Sequence, residues 1–137
     1  MNYDTDNIFA KILRGDIPNI TIYEDNQTLA FMDIMPQMAG HTLVIPKEPA
    51  ITLLDLSDAA ASDLILKVKH VAKAVKKGLE ADGITLFQLN GSAAGQTVPH
   101  IHFHILPGHF AQLTKHASKM QEPAELEKIA KKIRASF

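Results

Sequence analysis

The 137-residue chain contains no cysteine. Disulfides and thiolate metal sites both require cysteine, so this absence excludes a disulfide framework and a cysteine-based metal site. It is also compatible with the reducing cytoplasm, the location we predict. The sequence has no apolar run long enough to span a membrane, and the stretch Met1–Asp6 is acidic rather than basic. We therefore expect neither a signal peptide nor any membrane association.

An excess of positive charge is also missing, because 14 Lys and Arg residues are balanced by 15 Asp and Glu residues. Proteins that bind nucleic acid polymers usually carry a basic field, so we expect no such partner. The length and the 46% hydrophobic content are typical of one folded domain. We predict a single domain over residues 1–137.

Three histidines alternate with apolar residues in the stretch Val98–Leu106. This alternation predicts a β-strand with His100, His102 and His104 on one face and apolar side chains on the other. The histidine face could be a solvated surface, a metal site or a catalytic site. At about 3.3 Å per residue, the first and third histidines would have Cα atoms about 13 Å apart, so one ion could be bound by two of the histidines but not by all three. A third ligand would have to come from elsewhere in the chain, and no cysteine is present to supply it. In a catalytic site, one imidazole would attack while its neighbours set its tautomer and handle protons.

The loop that precedes this stretch, Asn90–Thr97, consists mainly of small residues and contains two glycines. The backbone N–H groups of such a loop can approach and surround an anion such as phosphate. This neighbourhood favours the catalytic interpretation of the histidines.

The pattern Asn90-Gly-x-x-x-Gly95-Gln96-x-Val98-x-His100-x-His102-x-His104 resembles the signature of the histidine triad (HIT) family of nucleotide hydrolases and transferases. The resemblance extends over about residues 6–106 and is closest to the HINT-like branch, which binds purine nucleoside monophosphates. It includes segments that match the family in the same order, namely Asn7–Ile12, Ile17–Pro18, Leu29–Pro36 and Gly40–Lys47. The resemblance implies a homodimer in which two sheets join into one.

The resemblance also implies roles for individual residues. His102 matches the nucleophile, which forms a covalent nucleotidyl intermediate, while Asp33 matches the acidic residue that accepts hydrogen bonds from the ribose hydroxyls. His41 matches a histidine that supports the triad by hydrogen bonding. No metal or cofactor is implied. The catalytic set is His100, His102, His104 and Gln96, and the nucleotide-binding set is Ile8, Phe9, Ile12, Phe31, Asp33, Ile34, Leu43, Asn90, Gly95, Gln96, Thr97, His102 and His104.

The order of the predicted elements indicates an α+β fold, an antiparallel sheet with one long inserted helix and terminal helices. Residue preferences predict a short first helix capped by Asp6, a long helix that starts at Ser57 or Asp58 and ends before Gly83, and a C-terminal helical extension over about 122–136 that starts at Pro123. The predicted strands, besides the histidine stretch, are Thr21–Asp25, Thr28–Asp33, His41–Pro46 and Ile84–Leu89.

The predicted function is hydrolysis at the α-phosphate of a purine nucleotide of the AMP type, as in a nucleoside phosphoramidase. Two alternatives stay open, a dinucleoside polyphosphate hydrolase and a nucleotide-binding sensor or scaffold with little turnover. After the histidine stretch the chain has Pro107-Gly108-His109, where many bacterial relatives have a proline-arginine pair. A substrate contact made there by arginine is therefore not expected.

Overall fold

Five antiparallel strands and three α-helices make up the part of the chain that the computed structural model describes, residues 2–110 and 120–137. The strands lie in the order β1-β2-β3-β5-β4. This arrangement confirms the predicted α+β class, and no helix in the described ranges is long and apolar enough to cross a membrane. The elements are α1 (Ile8–Leu13), β1 (Thr21–Glu24), β2 (Thr28–Met32), β3 (Thr42–Pro46), α2 (Asp58–Gly78), β4 (Ile84–Gln88), β5 (Phe103–Pro107) and α3 (Pro123–Arg134).

The two faces of the sheet bury different sets of side chains, because neighbouring residues of a strand point to opposite sides. On one face, strand residues such as Val44 and Ile105 pack with α2 residues such as Val68 in the larger core. On the other face, Phe31 and Leu43 belong to a smaller cluster that includes Phe9 of α1. Burial of each such side chain contributes about 1.5–3 kcal/mol. The second face is the one on which the predicted site lies.

Helix α2 starts as predicted, since the Ser57 hydroxyl oxygen accepts a hydrogen bond from the Ala60 N–H at 3.2 Å. The prediction that it continues almost to Gly83 is wrong. The helix ends at Gly78, and Glu80 turns the chain away with a φ of 51°. Any Cβ at position 78 would lie 2.5 Å from the Lys132 carbonyl oxygen, so glycine allows α2 and α3 to pack closely here.

Helix α1 is capped by Asn7 and not by the predicted Asp6. The Asn7 side-chain oxygen accepts from the Ala10 N–H at 2.9 Å, and its amide donates to the Asp4 carbonyl at 2.7 Å. At the other end of the chain, α3 begins at Pro123 as predicted. The Arg134 guanidinium then donates to the Thr21 carbonyl at 2.9 and 2.7 Å, which fixes α3 against β1.

The histidine strand is shorter than predicted, because β5 begins at Phe103. Pro99 has no N–H, the His100 N–H donates to the Val98 carbonyl at 2.9 Å, and the Ile101 N–H donates to Ala50 at 3.0 Å. These donors are therefore unavailable to a sheet ladder. The alternation of faces nevertheless persists, since Ile101 lies in the larger core with Ile105.

Candidate active site

A cavity of about 580 Å³ opens on the sheet face that carries Phe31 and Leu43. Its walls come from α1 and the chain after it, from β2, β3 and the segment between them, from β4, and from β5 and the loop before it. Most of the predicted nucleotide-binding residues line it, together with several that were not predicted. The lining residues are Ile8, Phe9, Ile12, Ile17, Pro18, Asn19, Phe31, Met32, Asp33, Ile34, Met35, Gln37, His41, Leu43, Phe87, Leu89, Gly95, Thr97, Val98, His102 and His104.

His102 lies in this cavity with its ring held in one tautomer. Its Nδ1 is 2.7 Å from the carbonyl oxygen of His100. A carbonyl oxygen only accepts hydrogen bonds, so Nδ1 carries the proton and the lone pair is on Nε2. Burial lowers the pKa of His102, against the opposite effect of the His100 carbonyl. The ring is thus neutral at neutral pH, and its Nε2 can act as a nucleophile.

Two successive hydrogen bonds fix the tautomers of His41 and His104. The Gln37 N–H donates to Nδ1 of His41 at 3.1 Å, so the His41 proton is on Nε2. This Nε2–H donates to Nδ1 of His104 at 2.9 Å, which leaves the His104 proton on its own Nε2. Burial and then the neighbouring histidines lower the pKa of His104 to about 3. His104 therefore presents a neutral N–H donor beside His102, with the two ring centroids 4.9 Å apart.

His100 is fully buried and does not line the cavity. Its Nε2–H donates to the Pro46 carbonyl at 2.8 Å, and its Nδ1 accepts from the Tyr3 hydroxyl at 2.6 Å. Burial lowers its pKa to about 4. Both ring nitrogens of His100 are therefore in use, and its backbone carbonyl is the acceptor for Nδ1 of His102. The Tyr3 contact spans 97 positions, and no sequence pattern predicts it.

Gln96 and Asn90 hold the loop, and their side chains are not among the groups that line the cavity. The Gln96 oxygen accepts from the Gly91 N–H at 2.7 Å, and its amide donates to the carbonyls of Ile51 and Val98 at 2.7 and 3.0 Å. The Asn90 oxygen accepts from the Leu53 N–H at 2.9 Å.

Two other residues of this loop line the cavity, Gly95 and Thr97. Gly95 has a φ of +102°, a left-handed conformation that favours glycine.

Asp33 lies just beyond the end of β2, with its side chain 19% exposed. One oxygen accepts from the Met35 N–H at 2.8 Å, and the other is 3.5 Å from Nε2 of His41. Burial raises the pKa of this carboxyl group to about 6, against the Met35 hydrogen bond. Spare acceptor sites on a poorly solvated carboxylate are suited to a pair of hydroxyl donors.

Asp33, His41 and His104 could together bind a metal ion, since one ligand atom from each lies within 4.8 Å of the others. The geometry sets a condition on such binding. His41 Nε2 and His104 Nδ1 already share a proton at 2.9 Å, so an ion bound by both atoms would have to displace it. This cluster was not predicted, because strand spacing concerns only the three alternating histidines.

Phe87 of β4 stacks on His104, with ring centroids 4.1 Å apart and planes inclined by 16°. The sheet register explains this contact, since His104 is paired with Phe87 on one side and with Leu43 on the other. Sequence reasoning missed Phe87. The strand order, once known, is the signal that would have identified it.

Comparisons with known proteins agree with this geometry. The family model of the HIT domain matches residues 14–111. Adenosine 5'-monophosphoramidase hnt1 of Schizosaccharomyces pombe is 45% identical over 100 residues, which cover 73% of this chain and 72% of that protein.

Solved structures show the same similarity. A Hit-like protein involved in cell-cycle regulation from Bartonella henselae, solved with an unknown ligand, superimposes with a TM-score of 0.91 at 48% identity, covering 99% of this chain and 100% of that one. A Zn-bound histidine triad family protein from Mycobacterium smegmatis gives 0.82 at 35% identity, covering 96% and 93%. On the family match, the sequence identity and the shared fold, this chain belongs to the histidine triad (HIT) family.

Proposed function

We propose that the protein is a nucleotide hydrolase that cleaves purine nucleoside phosphoramidates, or related nucleotidyl substrates, at the α-phosphate through a covalent nucleotidyl-His102 intermediate. The observation that carries the proposal is the His102 ring, whose Nδ1–H donates to the His100 carbonyl at 2.7 Å and whose Nε2 lone pair is free to attack. The similarity to a protein named adenosine 5'-monophosphoramidase supports the substrate class.

The cavity offers a place for each part of an AMP-type substrate. The apolar side chains of Ile8, Phe9, Ile12, Phe31, Ile34 and Leu43 suit the faces of a purine ring. The Asp33 carboxylate accepts hydrogen bonds from the ribose hydroxyls. Gly95, Thr97 and the Nε2–H of His104 surround the phosphate, while Asn90 and Gln96 keep the loop in shape.

In the first step, Nε2 of His102 attacks phosphorus, a phosphorus–nitrogen bond to His102 forms, and the bond to the leaving amine breaks. The amine leaves with a proton taken from water. The imidazolium that develops on His102 is stabilised by the His100 carbonyl, and the His104 N–H stabilises the charge on the phosphate oxygens. In the second step, a second water attacks the same phosphorus and the phosphorus–nitrogen bond to His102 breaks. The proton that this water loses neutralises the hydroxide left by the first step, so AMP is released and neutral His102 is restored. No step requires a metal.

A second copy of the chain is the partner that we propose for the β4 edge of the sheet. Among the described strands, β4 lies at one of the two edges and pairs with β5 alone, and Leu86 in its middle is 44% exposed. An unpaired apolar edge strand is a favourable site for a matching strand. A homodimer formed there would make one continuous sheet. The molecular mass of the protein in solution tests this directly.

A cytoplasmic location stays a prediction.

Release of a fluorescent amine from an adenosine phosphoramidate tests the proposed activity, with a dinucleoside polyphosphate as the parallel substrate. We expect turnover of the phosphoramidate by the native protein and almost none by His102→Ala. His70→Ala is the matched control, because His70 is exposed on α2 outside the cavity. AMP binding without turnover of either substrate would favour a sensor or scaffold, and preferential cleavage of the dinucleotide would favour the other hydrolase.

A further inference from the structure

Tyr3 is a residue of the N-terminal segment that contacts the histidine stretch. It precedes α1 and lies outside residues 14–111, the range that the HIT domain model matches. Its hydroxyl is 2.6 Å from Nδ1 of His100, and the two ring centroids are 5.6 Å apart with their planes inclined by 74°. The family resemblance implies no role for this tyrosine.

The direction of this hydrogen bond is determined at the other nitrogen of the His100 ring. Nε2 lies 2.8 Å from the Pro46 carbonyl oxygen, which only accepts, so Nε2 carries a proton. Burial lowers the pKa of His100 to about 4 and thus keeps the ring neutral. Nδ1 therefore has no proton and accepts from the Tyr3 hydroxyl. The imidazole is held at both nitrogens, between the N-terminal segment and the end of β3.

No strand pairing holds the backbone of His100 in place. The ladders of β5 with both of its neighbouring strands begin at Phe103. The peptide unit between His100 and Ile101 is held at its N–H by the Ala50 carbonyl at 3.0 Å, and its carbonyl accepts from Nδ1 of His102 at 2.7 Å. A peptide unit with one such contact at its N–H can still tilt about that contact. The position of the carbonyl therefore depends also on how the His100 side chain is held.

We propose that Tyr3 is a positioning residue for the reaction, which holds His100 so that the His100 carbonyl keeps the proton of His102 on Nδ1. Without a well-placed carbonyl, His102 also places its proton on Nε2, and a protonated Nε2 has no lone pair with which to attack phosphorus. The inference rests on the proposed function only for the attack by His102.

The test compares Tyr3→Phe with Tyr23→Phe, since these are the two tyrosines of the chain. The Tyr23 hydroxyl donates to Asp25 at 2.7 Å, and Tyr23 does not line the cavity. Tyr3→Phe should lower kcat for an adenosine phosphoramidate about two- to tenfold, the factor that corresponds to one hydrogen bond between uncharged groups. KM and the dissociation constant of AMP should change little. Tyr23→Phe should leave kcat unchanged, and urea unfolding of both variants measures any general loss of stability.

Nitrogen-15 NMR of the free proteins measures the tautomer of His102 without any turnover. The native protein should show the proton on Nδ1, and Tyr3→Phe should show a mixture in which this form decreases by the same factor as kcat. The same shift of tautomer in a protein without turnover would refute the proposed hydrolase and support the positioning of His102 by Tyr3. An unchanged His102 tautomer in Tyr3→Phe would overturn the inference, as would an unchanged kcat or an equal loss of kcat in the two variants.

Discussion

Replacement of Asp33 by asparagine should stabilise the free protein at neutral pH and at the same time weaken its binding of ribonucleotides. The pKa of Asp33 is about 6, against 3.8 for an unperturbed aspartate, because the carboxyl group is buried. Since one pKa unit corresponds to about 1.4 kcal/mol, the ionised form costs the folded state about 3 kcal/mol at pH 7. Asparagine avoids this charge and can still accept from the Met35 N–H.

The pH dependence gives the sign of the effect. The folded protein retains the Asp33 proton between pH 6 and 3.8, whereas the unfolded chain has released it, so the ionisation of Asp33 becomes more unfavourable to folding as the pH rises through this window. Above pH 6 the cost is complete. The stability gained by Asp33→Asn should therefore be about 3 kcal/mol at pH 7 and about half of that at pH 5.

Urea unfolding at both pH values measures this difference, with Asp82→Asn as the control because the Asp82 side chain is 82% exposed. Asp82→Asn should change the free energy of unfolding little. If Asp33→Asn is less stable than the native protein at pH 7, or equally stable, the reasoning from the buried carboxylate is refuted.

Nucleotide binding should change in the opposite direction. Each charge-assisted hydrogen bond from a ribose hydroxyl to Asp33 should contribute about 1.5–3 kcal/mol. Asp33→Ala and Asp33→Asn should therefore raise the KM of ribonucleotide substrates far more than that of 2′-deoxy analogues. Equal losses on the two kinds of substrate would exclude a ribose contact at Asp33.

Three further predictions follow from the structure. Gly40→Ala should lower the free energy of unfolding by about 2–4 kcal/mol, because the φ of Gly40 is +91° and a Cβ would collide with Leu79 and Pro107; unchanged urea unfolding would contradict this. The free energy of unfolding should fall as the pH decreases from 6.5 towards 4, because the buried histidines have lowered pKa values and the unfolded chain therefore binds more protons than the folded protein. Asp33 acts in the opposite direction, but the shifts of the three histidines together are larger. A flat pH profile would contradict this prediction. Turnover should persist in a metal chelator, and activity lost in chelator and restored by zinc would instead indicate a functional ion at the histidine and carboxylate cluster.

The sequence predicts those parts of the fold that depend on local pattern. Alternation correctly assigns Ile101 and Ile105 to the larger core and His102 and His104 to the opposite side. The start of β5 was not predictable in this way, because it depends on where the backbone N–H of Ile101 finds its acceptor. Likewise, the end of α2 at Gly78 depends on how closely α3 packs against it.

In the candidate site, too, some features could be predicted from the sequence and others depend on tertiary contacts. Family resemblance assigned His102, His104 and Asp33 to a common site, and these side chains do line one cavity. It could not tell that the predicted catalytic residue Gln96 has all of its described hydrogen bonds to the backbone of its surroundings. The contact between the Tyr3 hydroxyl and His100 could not be predicted from the sequence either, because it depends on where the N-terminal segment lies in the folded protein.

The covalent step on His102 is tested most directly by rapid quenching during turnover of an AMP-donating substrate, followed by mapping of the labelled residue by mass spectrometry. The account predicts one AMP per chain on His102, through a phosphorus–nitrogen bond that is labile in acid and stable in base. His102→Ala should lose this adduct and most of its turnover while it still binds AMP. His104→Ala should retain some adduct and react about 10²- to 10³-fold more slowly, as expected for the loss of one donor to the phosphate oxygens. Near-normal turnover by His102→Ala, or a label on any other residue, would contradict the account.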